Sequence, residues 1–254
     1  MPIQRKKPSV EITLPVYNEE KELEKNVYTV VAFCKENMSE YNWHITIADN
    51  ASNDRTPDIA KTIAKKYKEV SHFRLDQKGR GRAVKEVWRN SECDYCSYMD
   101  IDLSTDLKHL PRIIKELENG YDIAIGTRLK KGALVEGRTL LREITSRALN
   151  YLFIQMVFGT HFSDAQCGFK AVSRSVVTDL IPYIVDNGWF FDGELLIVGE
   201  KSGYKIYEEP VHWIDNPGST VQLLKTITGD LESMYRLLRT RPWVKLKKEK
   251  NKSL

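Results

Sequence analysis

No stretch of this chain is apolar for long enough to cross a bilayer. The longest candidate, Ala148 to Phe158, is interrupted by Asn150 and Gln155 and falls far short of the roughly twenty residues a spanning helix needs. The basic N-terminus, Met1 to Pro8, is followed by neither a signal-peptide core nor a small-residue cleavage site, which predicts a protein that stays in the cytoplasm. Cysteine is scarce. The four present (Cys34, Cys93, Cys96 and Cys167) are too scattered for a disulfide framework, in keeping with a reducing compartment. Cys93 and Cys96 have C-x-x-C spacing, but no second pair or histidine pair accompanies them, so they are read as buried thiols. Repeats and low-complexity linkers are also missing. Net charge is small, +4 over 254 residues, and unevenly placed: Arg241 to Leu254 carries +5, leaving −1 for everything before it. Such a tail is either a solvated end or a contact for an anionic membrane surface.

With 41% hydrophobic residues, the chain has enough apolar material for one large α/β core. Val10 to Pro15 alternates and is β-branched, which predicts a first strand, with Asn18 capping a helix that carries Leu23, Val27, Val30, Val31 and Cys34 on one face. A second strand, Trp43 to Asp49, leads through a polar loop into a helix ending near Lys66. Val70 to Leu75 forms a third strand. After it, Lys78-Gly79-Arg80-Gly81-Arg82-Ala83 opens a helix whose glycines allow close backbone approach and whose cations suit a diphosphate. Further units follow: a helix over Leu107 to Glu118, a strand over Asp122 to Gly126, a helix over Thr139 to Phe158, a polar turn from Phe162 into a strand at Lys170, a helix opening at Gly188 to Glu194, and a strand over Ile206 to Trp213. A last helix, Val221 to Leu238, should place Leu224, Ile227, Leu231, Met234 and Leu238 on one side. Alternating strands and helices predict a mostly parallel central sheet with helices on both faces, and ligands in such sheets bind at the carboxyl ends of the strands.

One of those ends stands out. Cys96 to Leu103 has the pattern of a buried strand finishing in Asp100-Ile101-Asp102. Residues two apart on a strand point the same way, so the two carboxylates can converge on one hard divalent cation, with a nucleotide diphosphate completing its shell. The plainer reading is a solvated strand end bearing two surface acids. Asp49 and Lys78 fall at the same edge of the predicted sheet, which favours a shared cleft.

Five segments in order, Leu14 to Glu19, Asp49 to Ser52, Met99 to Ser104, Gly126 to Arg128 and Asp164 to Lys170, resemble the family 2 inverting glycosyltransferases, specifically the dolichyl- or polyprenyl-phosphate hexose synthases. The resemblance runs from Val10 to about Thr220. It implies a GT-A type nucleotide-sugar-binding fold, with a single domain over 9–240 between a basic arm, 1–8, and a basic tail, 241–254. Residues 9–126 would form the donor-binding half and 127–240 the acceptor-binding half. Pro15, Tyr17, Glu19 and Asp49 would hold the base and ribose of the donor, with Lys78 and Gly81 nearby. Asp100 and Asp102 would hold Mg²⁺ or Mn²⁺ on the diphosphate. Arg128, Arg142 and Ser146 match acceptor-phosphate contacts, and Asp164 would orient groups at the reaction centre, making Asp102, Arg128, Arg142 and Asp164 the catalytic set.

Gln166-Cys167 and His212-Trp213 stand where the guanosine-diphosphate-mannose branch differs, so the chain resembles more closely the dolichyl-phosphate glucose branch, and UDP-glucose is favoured over GDP-mannose. The implied partners are a UDP- or GDP-hexose, a polyprenyl or dolichyl phosphate, and the cytoplasmic face of a membrane reached peripherally or through a membrane-protein partner. Nucleic acid is not among them. Three other readings compete: transfer to a glycan hydroxyl, a nucleotidyltransferase, and a non-catalytic sugar-nucleotide sensor. The second would want its glycine-rich loop near the first strand.

Overall fold

The computed structural model describes residues 6–137, 147–214 and 223–252, without the side chains of 149, 152, 153 and 223–228. Arg142 and Ser146, the start of the helix expected from Thr139, and Gly218 to Val221 lie outside the described residues, as do the side chains of Leu224 and Ile227.

The first half winds as the alternating pattern predicts: β1 (Ser9–Val16), α1 (Leu23–Asn37), β2 (Asn42–Asn50), α2 (Thr56–Lys66), β3 (Val70–Leu75), α3 (Arg80–Asn90), β4 (Tyr95–Met99), α4 (Leu110–Glu118) and β5 (Ile123–Thr127). Then come β6 (Leu134–Glu136), a π-helical stretch Leu149–Gln155 running into Met156–Phe158, β7 (Phe169–Ser173), α5 (Phe191–Lys201), β8 (Ile206–Pro210), β9 (His212–Ile214), α6 (Leu223–Thr240) and α7 (Pro242–Lys250). The main sheet has the order β3-β2-β1-β4-β7-β5-β8. Every pairing in it is parallel except those of β7, which runs antiparallel to both β4 and β5.

Both faces of the sheet are covered. α1, α2 and α4 pack their buried Leu23, Val27, Ile63, Leu110 and Ile113 on one side. On the other, Val84 and Trp88 of α3 meet Leu195, Leu196 and Val198 of α5. Strand residues alternate between the two cores, Ala124 and Ala171 facing one and Ile123, Ile125 and Val172 the other, as the two-residue strand period requires. β1 is buried from Val10 to Val16, and it encloses Glu11, 5% exposed, whose Oε1 has no hydrogen-bond partner among the described residues. The chain leaves β1 toward β2 and β3, then returns to β4 on the other side of β1. In open sheets of this kind the place for a ligand is outside the strand ends where the direction of winding reverses.

Four expectations need correction. Asn18 does not cap α1, which begins after Glu22. Instead Asn18 sits at φ 56° and ties two loops, donating its N–H to Ser52 Oγ (3.0 Å) and accepting from Asn53 N (2.9 Å). The strand expected over Ile206 to Trp213 is two strands in different sheets. The chain changes sheets at Val211, whose N–H reaches Thr127 O (3.1 Å) in β5 while its carbonyl accepts from Leu134 N (3.0 Å). In α6, Met234 is buried as expected, but Leu231 and Leu238 are exposed and Leu237 is buried instead. Polar docking sets this rotation: Arg236 pairs with Glu194 (2.7 Å) and Ser233 Oγ donates to Asp186 (2.9 Å). The basic tail is not a solvated end but contains α7, opened by Pro242 and held by buried Leu246 and by Trp243, whose ring meets Phe158 edge-on at 6.3 Å.

Candidate active site

Strand ends bring the predicted donor-side residues together. Pro15 and Val16 at the end of β1 are in register with Ala48 and Asp49 of β2. Just beyond, the Lys78 ammonium stands 3.5 Å from the centre of the Tyr17 ring, a close cation–π contact. Asp49 is fully buried and committed to its neighbours. Its Oδ1 accepts from Ser52 N (3.0 Å), and its Oδ2 accepts from Arg74 Nη1 (2.7 Å). Glu19 also reaches this edge. Burial first, then the charges of Asp102, Glu22, Asp54 and Asp100, push its carboxyl up to about 6.

Asp100 and Asp102 converge, though not as strand neighbours. β4 ends at Met99, and Asp100 makes one further bond, its N–H to Gly168 O (3.0 Å). The chain then turns through Leu103 at φ 52°, a conformation L-residues seldom adopt. The turn is pinned from outside by Ile214 N to Ser104 O (2.8 Å) and Asp106 N to His212 O (3.0 Å). Asp100 and Asp102 line one small cavity of about 10 Å³, together with Ser104, Thr105, Gly168 and Trp213. Asp102 accepts from Ser104 N (3.0 Å), and its carboxyl is raised above the usual range by desolvation and, secondarily, by the charge of Asp100. Two hard oxygen donors beside such a cavity fit a divalent cation that takes its remaining ligands from a diphosphate.

The glycines of the Lys78 to Ala83 segment have a different task from the one expected. Gly81 donates its N–H to Gly188 O (3.2 Å) and Arg82 donates to Asn187 O (3.2 Å), so the start of α3 is occupied by the loop leading into α5. A Cβ on Gly81 would stand 2.4 Å from the Cβ of Phe191. Close packing against protein, rather than approach to phosphate, requires glycine there.

Sequence reasoning missed a buried cluster of charge behind Asp100. Arg80 holds Asp100 Oδ1 through Nη2 (2.6 Å) and Nε (3.2 Å), and Asp192 Oδ2 through Nη1 (2.7 Å). Lys170, fully buried, reaches Asp192 (3.1 Å), Tyr98 Oη (3.3 Å) and Cys167 O (2.6 Å), and Tyr98 donates its hydroxyl to Asp192. Burial opposes ionisation of Asp192, but Lys170 and Arg80 hold its carboxyl below the ordinary range. The signal was present as a lysine between Phe169 and the apolar Ala171-Val172, a charge where the strand pattern demands a core residue.

On the side expected to take the acceptor, Arg128 and Asp164 form a buried two-pronged pair, Nε to Oδ2 at 2.8 Å and Nη2 to Oδ1 at 2.9 Å, and the Arg128 N–H adds a third bond to Oδ2 (3.1 Å). Burial alone would raise Asp164, but Arg128 outweighs it and holds the carboxyl down to about 2. The guanidinium lies over the Trp213 ring at 5.3 Å, and the same tryptophan lines the cavity that Asp100 and Asp102 share. Trp213 is thus a shared wall of the two halves of the site. Gln166, in the turn that carries Asp164, donates to Asp230 of α6 (3.3 Å), whose carboxyl is pushed up to about 7 by burial and then by Asp186.

Known proteins resemble this chain over most of its length. The chain is 32% identical over 222 residues to glycosyltransferase AglD of Haloferax volcanii, covering 87% of this chain but 35% of that protein. It is 25% identical over 230 residues to the dolichyl-phosphate beta-glucosyltransferase of Saccharomyces cerevisiae, covering 84% of this chain and 69% of that one. The chain therefore spans about a third of the archaeal relative and about two thirds of the yeast one. In fold it is similar to glucosyl-3-phosphoglycerate synthase from Mycobacterium tuberculosis, solved with Mn²⁺, UDP-glucose and phosphoglyceric acid, at a TM-score of 0.66 and 15% identity over 91% of this chain and 79% of that one. That likeness establishes a GT-A arrangement of sheet and helices. The family model of glycosyl transferase family 2 matches residues 11–181, and with strand ends, turn and ion pairs in the places described, the chain belongs to that family.

Proposed function

We propose that this protein transfers a hexose from a nucleoside diphosphate sugar, UDP-glucose before GDP-mannose, to a dolichyl or polyprenyl phosphate at the cytoplasmic face of a membrane. The observation that carries the reading is Trp213, which both lines the Asp100/Asp102 cavity and lies under the guanidinium of the Arg128–Asp164 pair. Asp102 and Asp100 would hold Mg²⁺ or Mn²⁺, which when bound would neutralise the diphosphate as it departs. Tyr17, Lys78, Asp49 and Glu19 would frame the nucleoside. Arg128, with Arg142 and Ser146, would receive the acceptor phosphate.

The state of Asp164 favours a phosphate over a hydroxyl acceptor. A lipid phosphate loses its second proton near pH 6 and attacks without help, whereas a sugar hydroxyl must give its proton to a base. A carboxyl held down to about 2 and bound to Arg128 is a poor proton acceptor and a good orienting group. The names of the yeast relative and of the mycobacterial complex, dolichyl-phosphate glucosylation in one and Mn²⁺ with UDP-glucose in the other, support the same acceptor class and donor.

Membrane contact is supported by the outer face of α6, where Leu231, Tyr235 and Leu238 form an exposed apolar stripe at helical spacing, followed in α7 by exposed Val244 and by Lys245, Lys247 and Lys248. Among the described residues no helix is long and apolar enough to cross a membrane; the contact proposed for this surface is peripheral, or completed by a membrane-protein partner. The test is transfer of labelled glucose from UDP-glucose, with Mn²⁺, to polyprenyl phosphate. Label entering the organic phase is the expected result, and label found only on glycan hydroxyls would replace this reading with the hydroxyl-acceptor one.

A further inference from the structure

Arg80 makes contacts of two different kinds. Its guanidinium is anchored at the rear to Asp192 (2.7 Å), a carboxylate whose side chain is 4% exposed and which is also held by Lys170. At the front it grips Asp100, whose side chain is 42% exposed and which faces the cavity shared with Asp102. Two rings stand beside the guanidinium, Tyr98 at 4.9 Å and Trp189 at 5.1 Å, and the side chain itself is only 9% exposed. Gly168 closes the other side of Asp100: a Cβ there would stand 1.7 Å from Oδ2. One oxygen of Asp100 is therefore occupied by Arg80 and the other lies against backbone. A divalent cation entering between Asp100 and Asp102 would meet a fixed positive charge already neutralising one of its ligands, and like charges this close in a partly desolvated site repel strongly. A diphosphate alters the balance, because it brings two or more negative charges to the same place.

We propose that Arg80 is the resident counter-cation of the donor site: it holds Asp100 while the site is empty and gives up that carboxylate only when metal and nucleoside diphosphate arrive together. The inference rests on the donor reading above. Arg80 is a positioning residue. Its second anchor at Asp192 keeps the guanidinium beside the site after Asp100 is released, and this two-ended attachment makes the exchange reversible. Metal loading then depends on donor, so the empty enzyme does not retain a free divalent ion between turnovers.

The test is Mn²⁺ binding to the full chain, followed by the electron paramagnetic resonance signal of free Mn²⁺, with and without UDP or GDP. Arg80→Gln should bind Mn²⁺ alone about tenfold more tightly than the parent, equivalent to about 1.4 kcal/mol, and should gain less when nucleotide is added. Arg80→Lys keeps the charge and should bind Mn²⁺ alone no more tightly than the parent. A folded Arg80→Gln protein with unchanged or weaker affinity for Mn²⁺ alone overturns the proposal. Because the glutamine variant leaves Asp192 with one cation fewer and could fail to fold, a second measurement uses the parent chain: the nitrogen-15 resonance of Arg80 Nε should shift on saturation with Mg²⁺ and UDP or GDP. An unmoved resonance in a chain that binds Mg²⁺ with nucleotide overturns the proposal by itself. Failure to bind either nucleotide with metal defeats the donor reading and this inference with it, so the two failures are distinguishable.

Discussion

Glu11 offers a quantitative check on the interior of the fold. It lies on β1, 5% exposed, with Oε1 lacking a hydrogen-bond partner among the described residues. Desolvation raises its carboxyl from the ordinary 4.5 to about 7, and a hydrogen bond with Thr46 offsets only part of that. A carboxyl whose folded-state value lies above its unfolded one stabilises least when ionised. Below pH 4.5 both states are protonated and nothing is lost. Between pH 4.5 and about 7 the unfolded chain ionises first and stability falls, and above about pH 7 the penalty is constant. At ~1.4 kcal/mol per pH unit, the full penalty is about 3 kcal/mol. Glu11→Gln keeps the shape and hydrogen-bonding capacity but cannot ionise. The variant should match the parent in urea unfolding at pH 4.5 and exceed it by about 2–3 kcal/mol at pH 8. Glu11 pairs in register with His44 at the start of β2, at the opposite end of the strands from the aspartate cavity, so nucleotide binding should be unchanged. The reasoning is refuted if the stability difference is the same at both pH values.

Other perturbations probe the site and the surface. Asp102→Asn should lower Mn²⁺-dependent affinity for UDP-glucose at least ~tenfold while leaving the unfolding midpoint unchanged, because on the proposed reading the lost charge is a metal ligand and not a core contact; isothermal titration reads the first and circular dichroism the second. Gly81→Ala should cost about 1–3 kcal/mol of stability by overpacking against Phe191, and a denaturation midpoint equal to the parent's would show that the α5 loop yields more easily than its 2.4 Å approach suggests. Replacing Leu231, Tyr235 and Leu238 together by serine should reduce co-sedimentation with anionic vesicles and leave nucleotide affinity intact; undiminished sedimentation would remove α6 from the membrane face. Arg142→Ala should raise KM for polyprenyl phosphate with little change in donor affinity, and parent-level transfer would rule out its place at the acceptor phosphate.

The elements of the fold were legible because each announces itself locally. β1 and β2 alternate, α1 presents Leu23, Val27, Val30, Val31 and Cys34 at helical spacing, and all five are buried. The carboxylate pair was legible for the same reason, being two residues of one short segment. What stayed hidden depends on partners far along the chain. Arg80 and Asp192 are 112 residues apart, and neither position carries a local sign of the other. The rotation of α6 was misread because apolar spacing alone favoured Leu231 and Leu238, whereas the ion pair of Arg236 with Glu194 fixes a neighbouring face against the core. The tail was read from its charge, although Trp243 and Leu246 are the residues that dock it.

The reversed strand β7 has a consequence for how the molecule comes apart. β4 and β5 do not touch each other as strands; β7 lies between them and bonds to both. Remove it, and the sheet divides into a four-stranded piece ending at β4 and a two-stranded piece made of β5 and β8. The strand that joins them comes from beyond residue 168, although β1 to β5 are all complete by residue 127. Neither portion of the chain can finish its own sheet, so the two should melt as one, in a single cooperative transition, and a break in the backbone between β5 and β7 should leave the pieces clasped together.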